Sequence, residues 1–263
     1  MSQSTKPYKN YCKWNREKPL AKKGFIVAAD LTQEWLLPWW WNHYSKYNDL
    51  PVAFIDFGLS KEMKEWCKKK GHYIPLLIPN IFVAEKDSFS SKHIQDWEKL
   101  HGTHFWESRN AWFKKPLACL QTPYETSIWM DLDCEVKGSL TPIFSLPLSP
   151  SGISLAKEYH TPGHFDNVNS GVILFQKGIS IIEDWARESL EENHAYVGDQ
   201  DILYALILKK QIPIGDFPLI YNWSRFSNTN PDALVIHWHG NHGKSFILHQ
   251  IQKATIQEAG LLL

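Results

Sequence analysis

The sequence predicts an α/β domain whose mostly parallel central sheet is flanked by helices. Three observations predict it. Apolar runs of strand length alternate with helix-length stretches through the first half of the chain, the pattern of βαβ units with right-handed crossovers. The run Ile128-Trp129-Met130 reads as a buried strand, as strands covered by helices on both faces do. It leads straight into Asp131-Leu132-Asp133, and the carboxyl ends of such strands are where these sheets place ligands.

Each element follows from its own residues. Residues 24–30 (Gly-Phe-Ile-Val-Ala-Ala-Asp) form a first strand that ends in small residues and an acid, leaving room for a flat ring or a close backbone. A helix follows within 31–48, with Pro38 at a favoured first-turn position. Trp39, Trp40 and Trp41 cannot share one helix face, so at least one belongs at the edge of the core. Residues 51–56 form a second strand. Ser60 caps a charged helix that runs to Lys70 and stops at Gly71. Tyr73–Ile78 is a third strand, and Pro75 places it toward the sheet edge.

Residues 79–103 read as a polar surface excursion. His104–Leu120 reads as a helix with Trp112, Leu117 and Leu120 inward and Arg109, Lys114 and Lys115 around them. Pro116 should kink or split it. After the acid pair come a proline-rich connector (138–150), strands at 153–156 and 172–175, and helices at 180–190 and 199–209. A last strand at 233–236 and a closing helix at 245–259 complete the chain.

The composition excludes several classes. With 28 basic and 28 acidic residues the formal net charge is zero, which argues against a protein built to grip nucleic acid. Cys12, Cys67, Cys119 and Cys134 form no CxxC pair, so they read as reduced thiols of a cytoplasmic protein. Lys6, Lys9, Lys13, Arg16, Lys18, Lys22 and Lys23 give residues 1–23 a basic character without the apolar stretch of a signal peptide. That segment reads as a solvated tail, although it could touch an anionic membrane surface. No apolar run is long enough to span a bilayer: the stretch 139–156 is broken by Pro142, Pro147 and Pro150. The remaining residues, 24–263, read as one domain with two halves, 24–137 and 138–263, that meet just after the acid pair. Thirteen tryptophans supply flat apolar faces suited to sugar rings as well as to the core.

The chemistry centres on the acid pair. Two carboxylates at i and i+2 repel one another, and a hard divalent cation relieves that repulsion while keeping positions open for phosphate. Four other stretches bear on it: residues 163–171 (including Asp166, Asn169 and Gly171), Asp199-Gln200-Asp201 at a helix start, the His237–Lys244 segment with three imidazoles, and the basic residues of the helix before the acids. Each has an ordinary reading as turn, cap or solvated face.

Taken in order, however, Ala28-Ala29-Asp30, Asp131-Leu132-Asp133, Asn169-Ser170-Gly171, Asp199-Gln200-Asp201 and the His237, Gly240, Lys244 series resemble the GT-A glycosyltransferases, and within them family 8, the galactosyltransferase and glycogenin group. The likeness covers about residues 24–245. The segment after His237 carries one extra residue before Lys244, and Ser245-Phe246 stands where that family has Pro-Trp.

The resemblance implies a GT-A fold and roles for named residues. Asp131, Asp133 and His237 would hold Mn²⁺ or Mg²⁺ against the diphosphate of a UDP-sugar. Lys244 and one of Arg109 or Lys115 would add positive charge there. Ala28 and Asp30 would meet base and ribose. Asp166, Asn169, Asp199 and Gln200 would bind sugar hydroxyls, with Gln200 and Asp199 nearest the chemistry. The acceptor would be a glycan, a lipid or a protein. An amide cannot act as a general base, so Gln200 points to retention; a base at Asp199 or Asp201 would allow inversion. Two other readings stand beside this one. One is a catalytically inactive sugar- or nucleotide-binding protein of the same fold. The other is a phosphatase of the haloacid dehalogenase type, which also uses paired aspartates but on its first strand.

Overall fold

The computed structural model describes residues 13–14, 17–78, 80–158 and 167–258. Its strands are β1 (Ala21–Ala29), β2 (Val52–Asp56), β3 (His72–Pro75), β4 (Tyr124–Met130), β5 (Cys134–Val136), β6 (Ile153–Glu158), β7 (Asn167–Gln176), β8 (Trp223–Ser224) and β9 (Val235–His237). Its helices are α1 (Leu36–Ser45), α2 (Lys61–Lys70), α3 (Ser91–His101), α4 (Phe105–Leu120), α5 (Ser180–Glu191), α6 (Asp199–Lys210) and α7 (Gly240–Glu258). Six strands form a central sheet in the order β3-β2-β1-β4-β7-β6, and β5-β9-β8 form a small second sheet. The β1–β2, β2–β3 and β1–β4 pairs are parallel, whereas β7 runs antiparallel to β4 and β6. Parallel neighbours joined through helices give the α/β class that the alternation predicts.

Strand alternation divides the core in two. Phe25 and Val27 of β1 join Trp40 and Tyr44 of α1 on one face. Ile26 joins Phe113 of α4, Trp185 of α5 and Leu206 of α6 on the other. The three successive tryptophans all serve packing. Trp40 is fully buried and stacks on Tyr44, Trp39 donates its indole N–H to Gln250 at 3.1 Å, and Trp41 lies at the core edge against Trp66. Ser60 caps α2 by accepting the Met63 N–H, and β3 lies at the sheet edge, as Pro75 predicts. Among the described residues, no helix is long and apolar enough to cross a membrane.

Several expectations need correcting. The excursion at 79–103 contains a regular helix, α3, capped by Ser90 through the His93 N–H. α4 runs through Pro116 without splitting, because Phe113, Leu117 and Leu120 hold both halves against the sheet. β1 begins at Ala21, inside the segment read as a tail. Trp14 of that segment is docked, its indole N–H on the Ile179 carbonyl at 3.1 Å. α7 starts at Gly240, five residues early, and β7 starts at Asn167, so Asn169-Ser170-Gly171 lies within a strand instead of leading into one.

Candidate active site

The acid pair sits where β4 leaves the sheet. The Asp131 N–H donates to the Gly171 carbonyl at 2.8 Å, which ties the exit of β4 to β7. Trp129 donates its indole N–H to Asp131 Oδ1 at 2.7 Å. Antiparallel pairing of Cys134 with His237 then brings the imidazole to the acids, with Nε2 3.3 Å from Asp133 Oδ1 and 3.9 Å from Asp131 Oδ2. Gly171 makes this approach possible: a Cβ there would lie 2.1 Å from His237 Cε1, far inside van der Waals contact.

These residues fit a divalent cation. Two carboxylates and one imidazole nitrogen form an oxygen and nitrogen donor set of the kind Mn²⁺ and Mg²⁺ accept. Cys134 also comes near Asp133 and His237. Burial and the two neighbouring carboxylates hold its thiol protonated well above the usual range, and a thiol is a poor partner for a hard cation. Asp133 is pushed up by burial, but its hydrogen bond to His237 and the charges of His237 and Lys244 outweigh this and hold it far below the usual carboxylate range. Lys244 lies 3.9 Å from Asp133.

Two cavities meet at these acids. One, of about 340 Å³, is lined by Ala28, Asp30, Gln33, Phe57 and Ala111. The other, of about 430 Å³, is lined by Glu158, Asn169, Asp199, Gln200 and His239. Trp112, Lys115, Asp131, Asp133 and Lys244 line both, so the two form one cleft over the carboxyl ends of β1 and β4. Asp30 also stabilises the turn after β1, its Oδ1 accepting the N–H groups of Thr32 and Gln33.

Lys115 occupies the floor of the cleft, 5% exposed. Its ammonium lies 3.2 Å from both Asp131 and Asp199 and donates to Ser170 Oγ at 3.1 Å. Burial lowers its pKa, but the two carboxylates more than reverse that and keep it charged. Asp199, 4% exposed, is raised to about 6, chiefly by burial, against the opposing pull of Lys115 and with a further push from Asp131. Gln200 accepts the Ser170 N–H on its carboxamide oxygen at 3.0 Å, which presents the amide nitrogen as the donor. Asp201 accepts the Gly198 N–H at 3.0 Å.

The structure corrects the reading of Arg109. It is 1% exposed and does not line the cleft. Its guanidinium donates to the carbonyls of Tyr196, Val197 and Asn193 at 2.6, 2.6 and 2.8 Å, beneath Phe89, Trp97, Trp106 and Phe113. Lys115 is therefore the basic residue of α4 at the acids. Lys114 is buried too, its ammonium on the Phe57 carbonyl, so the three cations are not an exposed helix face.

Of the three imidazoles only His237 faces the acids. His239 bonds Ser224 Oγ at 2.8 Å and is lowered to about 4 by burial and the neighbouring His237, and His242 is exposed. Asp166 lies outside the described residues. Trp112, Glu158 and Asn222 are the site residues that sequence reasoning missed. Trp112 does sit one helical turn before Lys115, a spacing that could have placed it on the same face.

No protein-family model and no curated protein matches the sequence. The structure is similar to three solved glycosyltransferases. Apo GlyE of Streptococcus pneumoniae TIGR4 gives a TM-score of 0.53 at 17% identity, over 89% of this chain and 64% of GlyE. Apo mouse xyloside xylosyltransferase 1 gives 0.53 at 13%, over 83% of this chain and 97% of that one. An active-site mutant of the galactosyltransferase LgtC gives 0.52 at 14%, over 88% and 95%. The chain thus spans just under two thirds of the length of GlyE. At such identities the likeness is one of architecture, and what it establishes is that this chain has the GT-A glycosyltransferase fold.

Proposed function

We propose that the chain is a glycosyltransferase that uses a divalent cation to move a sugar from a nucleoside diphosphate sugar, a UDP-sugar, to a glycan, lipid or protein hydroxyl. One observation carries the reading: Asp131, Asp133 and His237 converge at the junction of two cavities, each sized for part of such a donor. Ala28 and Asp30 line the first, where base and ribose would lie. Gln200, Asp199 and Asn169 line the second, where the sugar would lie. When bound, Mn²⁺ or Mg²⁺ supplies Lewis-acid charge for the departing diphosphate. Lys244 adds a fixed positive charge beside Asp133.

Retention is the favoured stereochemical course. Asp199 keeps Lys115 and Ser170 as partners and Asp201 keeps the Gly198 N–H; a base at Asp199, whose pKa is raised to about 6, is the arrangement that would give inversion instead. Gln200 offers an amide, which orients hydroxyls but accepts no proton. A dehalogenase-type phosphatase is disfavoured because Asp131, the would-be nucleophile, is held by Trp129 and Lys115.

The test is a melting-temperature panel of nucleoside diphosphates and nucleotide sugars, each with Mn²⁺ and with EDTA. Ligands that bind the folded state raise the midpoint by mass action. The expected outcome is a Mn²⁺-dependent rise with uridine nucleotides that disappears in Asp133→Ala. A rise with no nucleotide, metal present, overturns the donor-site reading.

A further inference from the structure

His237 does not stand alone behind the acids. Its Nδ1 lies 3.0 Å from Asn222 Oδ1. The Asn222 amide nitrogen donates to Asn169 Oδ1 at 2.9 Å, and that same oxygen accepts the Gly171 N–H at 2.9 Å. The Asn169 amide nitrogen in turn donates to Glu158 Oε1 at 2.6 Å. Asn222, Asn169 and His237 are all buried, so water offers little substitute for any of these partners.

The polarity of this chain of bonds is fixed at Gly171. A backbone N–H can only donate, so Gly171 must meet the oxygen of Asn169 and not its nitrogen. The other end of that amide, its nitrogen, is then the atom that donates to Glu158 Oε1. Asn169 oxygen therefore faces Asn222, which must turn its nitrogen that way and its own oxygen toward His237. A carboxamide oxygen accepts, so Nδ1 of His237 carries a proton. The nitrogen through which His237 would meet a cation, giving up its proton to do so, is Nε2, the one aimed at Asp133 and Asp131.

We infer that Asn222 is a positioning residue for the cation site: by accepting from Nδ1 it fixes the tautomer and ring orientation that present Nε2 to the metal. The Gly171 N–H, through Asn169, sets the direction of the Asn222 amide. Partners that accept the second ring N–H of a metal-binding histidine commonly change metal affinity about 10–100-fold when removed. The inference rests on the cation reading above, but its first readout does not require the cation.

That readout is the His237 Nδ1–H itself, observed by nitrogen-resolved NMR in the metal-free chain and assigned by its loss in His237→Gln. The wild type should show an imidazole N–H protected from solvent exchange, and Asn222→Leu should lose it. The second readout is Mn²⁺ affinity, followed by the electron paramagnetic resonance of free Mn²⁺. Asn222→Leu should weaken it about tenfold or more, while Asn222→Asp, which keeps an acceptor for Nδ1 although it gives up the donor to Asn169 Oδ1, should lose clearly less than Asn222→Leu. Equal loss in both variants, no loss in Asn222→Leu, or no protected Nδ1–H in the wild type overturns the inference. A protected N–H in a wild-type chain that binds no Mn²⁺ instead overturns the cation reading and leaves the role of Asn222 in orienting His237 standing.

Discussion

Asp56 and Asp199 are both nearly sealed from water, at 8% and 4% exposure, yet their surroundings treat them in opposite ways. Asp56, at the end of β2, accepts four donors: the N–H groups of Gly58 and Leu59, the Tyr73 hydroxyl and the Lys64 ammonium. Burial raises its pKa, but the Tyr73 hydrogen bond, the backbone N–H groups and Lys64 outweigh burial and hold it below the usual carboxylate value. Asp199 has Lys115 and Ser170 Oγ, and it shares that lysine with Asp131. Its pKa accordingly sits at about 6. The first is a carboxylate whose every need is met by the fold. The second is held with capacity to spare, facing a cavity where sugar hydroxyls could complete its coordination. Buried polar groups left short of partners mark functional sites more often than structural ones.

The sharpest way to break this contrast is Lys115→Met. It strands the buried Asp199 and the half-buried Asp131 at once, and removing one member of a buried ion pair costs about 3–5 kcal/mol. Urea unfolding at neutral pH should show at least that loss, with most of it recovered by adding Asp199→Asn. A smaller effect is expected for Asp56→Ala, which takes the acceptor from the half-buried Tyr73 hydroxyl and from the N–H groups of Gly58 and Leu59 at a cost of about 1–3 kcal/mol. Because the folded pKa of Asp56 is depressed, its contribution is present above the ordinary carboxylate pKa and fades as pH falls through the folded value. The gap between wild type and variant should therefore close in acid, while nucleotide binding per folded molecule is kept. The smallest and most telling change is Asp199→Asn. With a folded pKa of about 6, the native chain binds more protons than the unfolded chain between about pH 4 and 6, so ionisation at neutral pH works against folding. Lys115 keeps Asp131 as its counter-ion, so, set against the loss of the Lys115–Asp199 pair, the variant should gain on wild type by roughly 1–3 kcal/mol as pH rises from about 4 to 7. Sugar transfer should fall. A stability gap that instead moves in favour of wild type over that range would mean that the two acids play the same structural part.

Much of this was legible in the sequence, for local reasons. Apolar runs ending in acids located β1, β2 and β4, and Ser60 with Gly71 bounded α2. Asp131, Asp133 and His237 announced themselves by residue type and order. What was not legible depended on partners far along the chain. Asn169, Ser170 and Gly171 are turn formers by habit, and they lie in β7 because β6 and Glu158 hold them there. α3 hides its apolar contacts, such as Trp97 against Phe89 and Trp106, in an otherwise polar stretch. The partners of Arg109 are backbone carbonyls, which leave no trace in residue identity. Asn222 lies 15 positions before His237, with nothing in its neighbourhood to mark it.

Arg109 carries one more consequence. Its guanidinium binds the loop that enters α6 from below, and aromatic rings of the α3 region and α4 cover it from above. Two walls of the cleft, the one bearing Trp112 and the one bearing Gln200, are thereby pinned to a single cation. They cannot swing apart as independent flaps without tearing out three hydrogen bonds. Among the described residues, α4 and the start of α6 therefore behave as one braced wall, and whatever shape the cleft takes on that side is set by a single buried side chain.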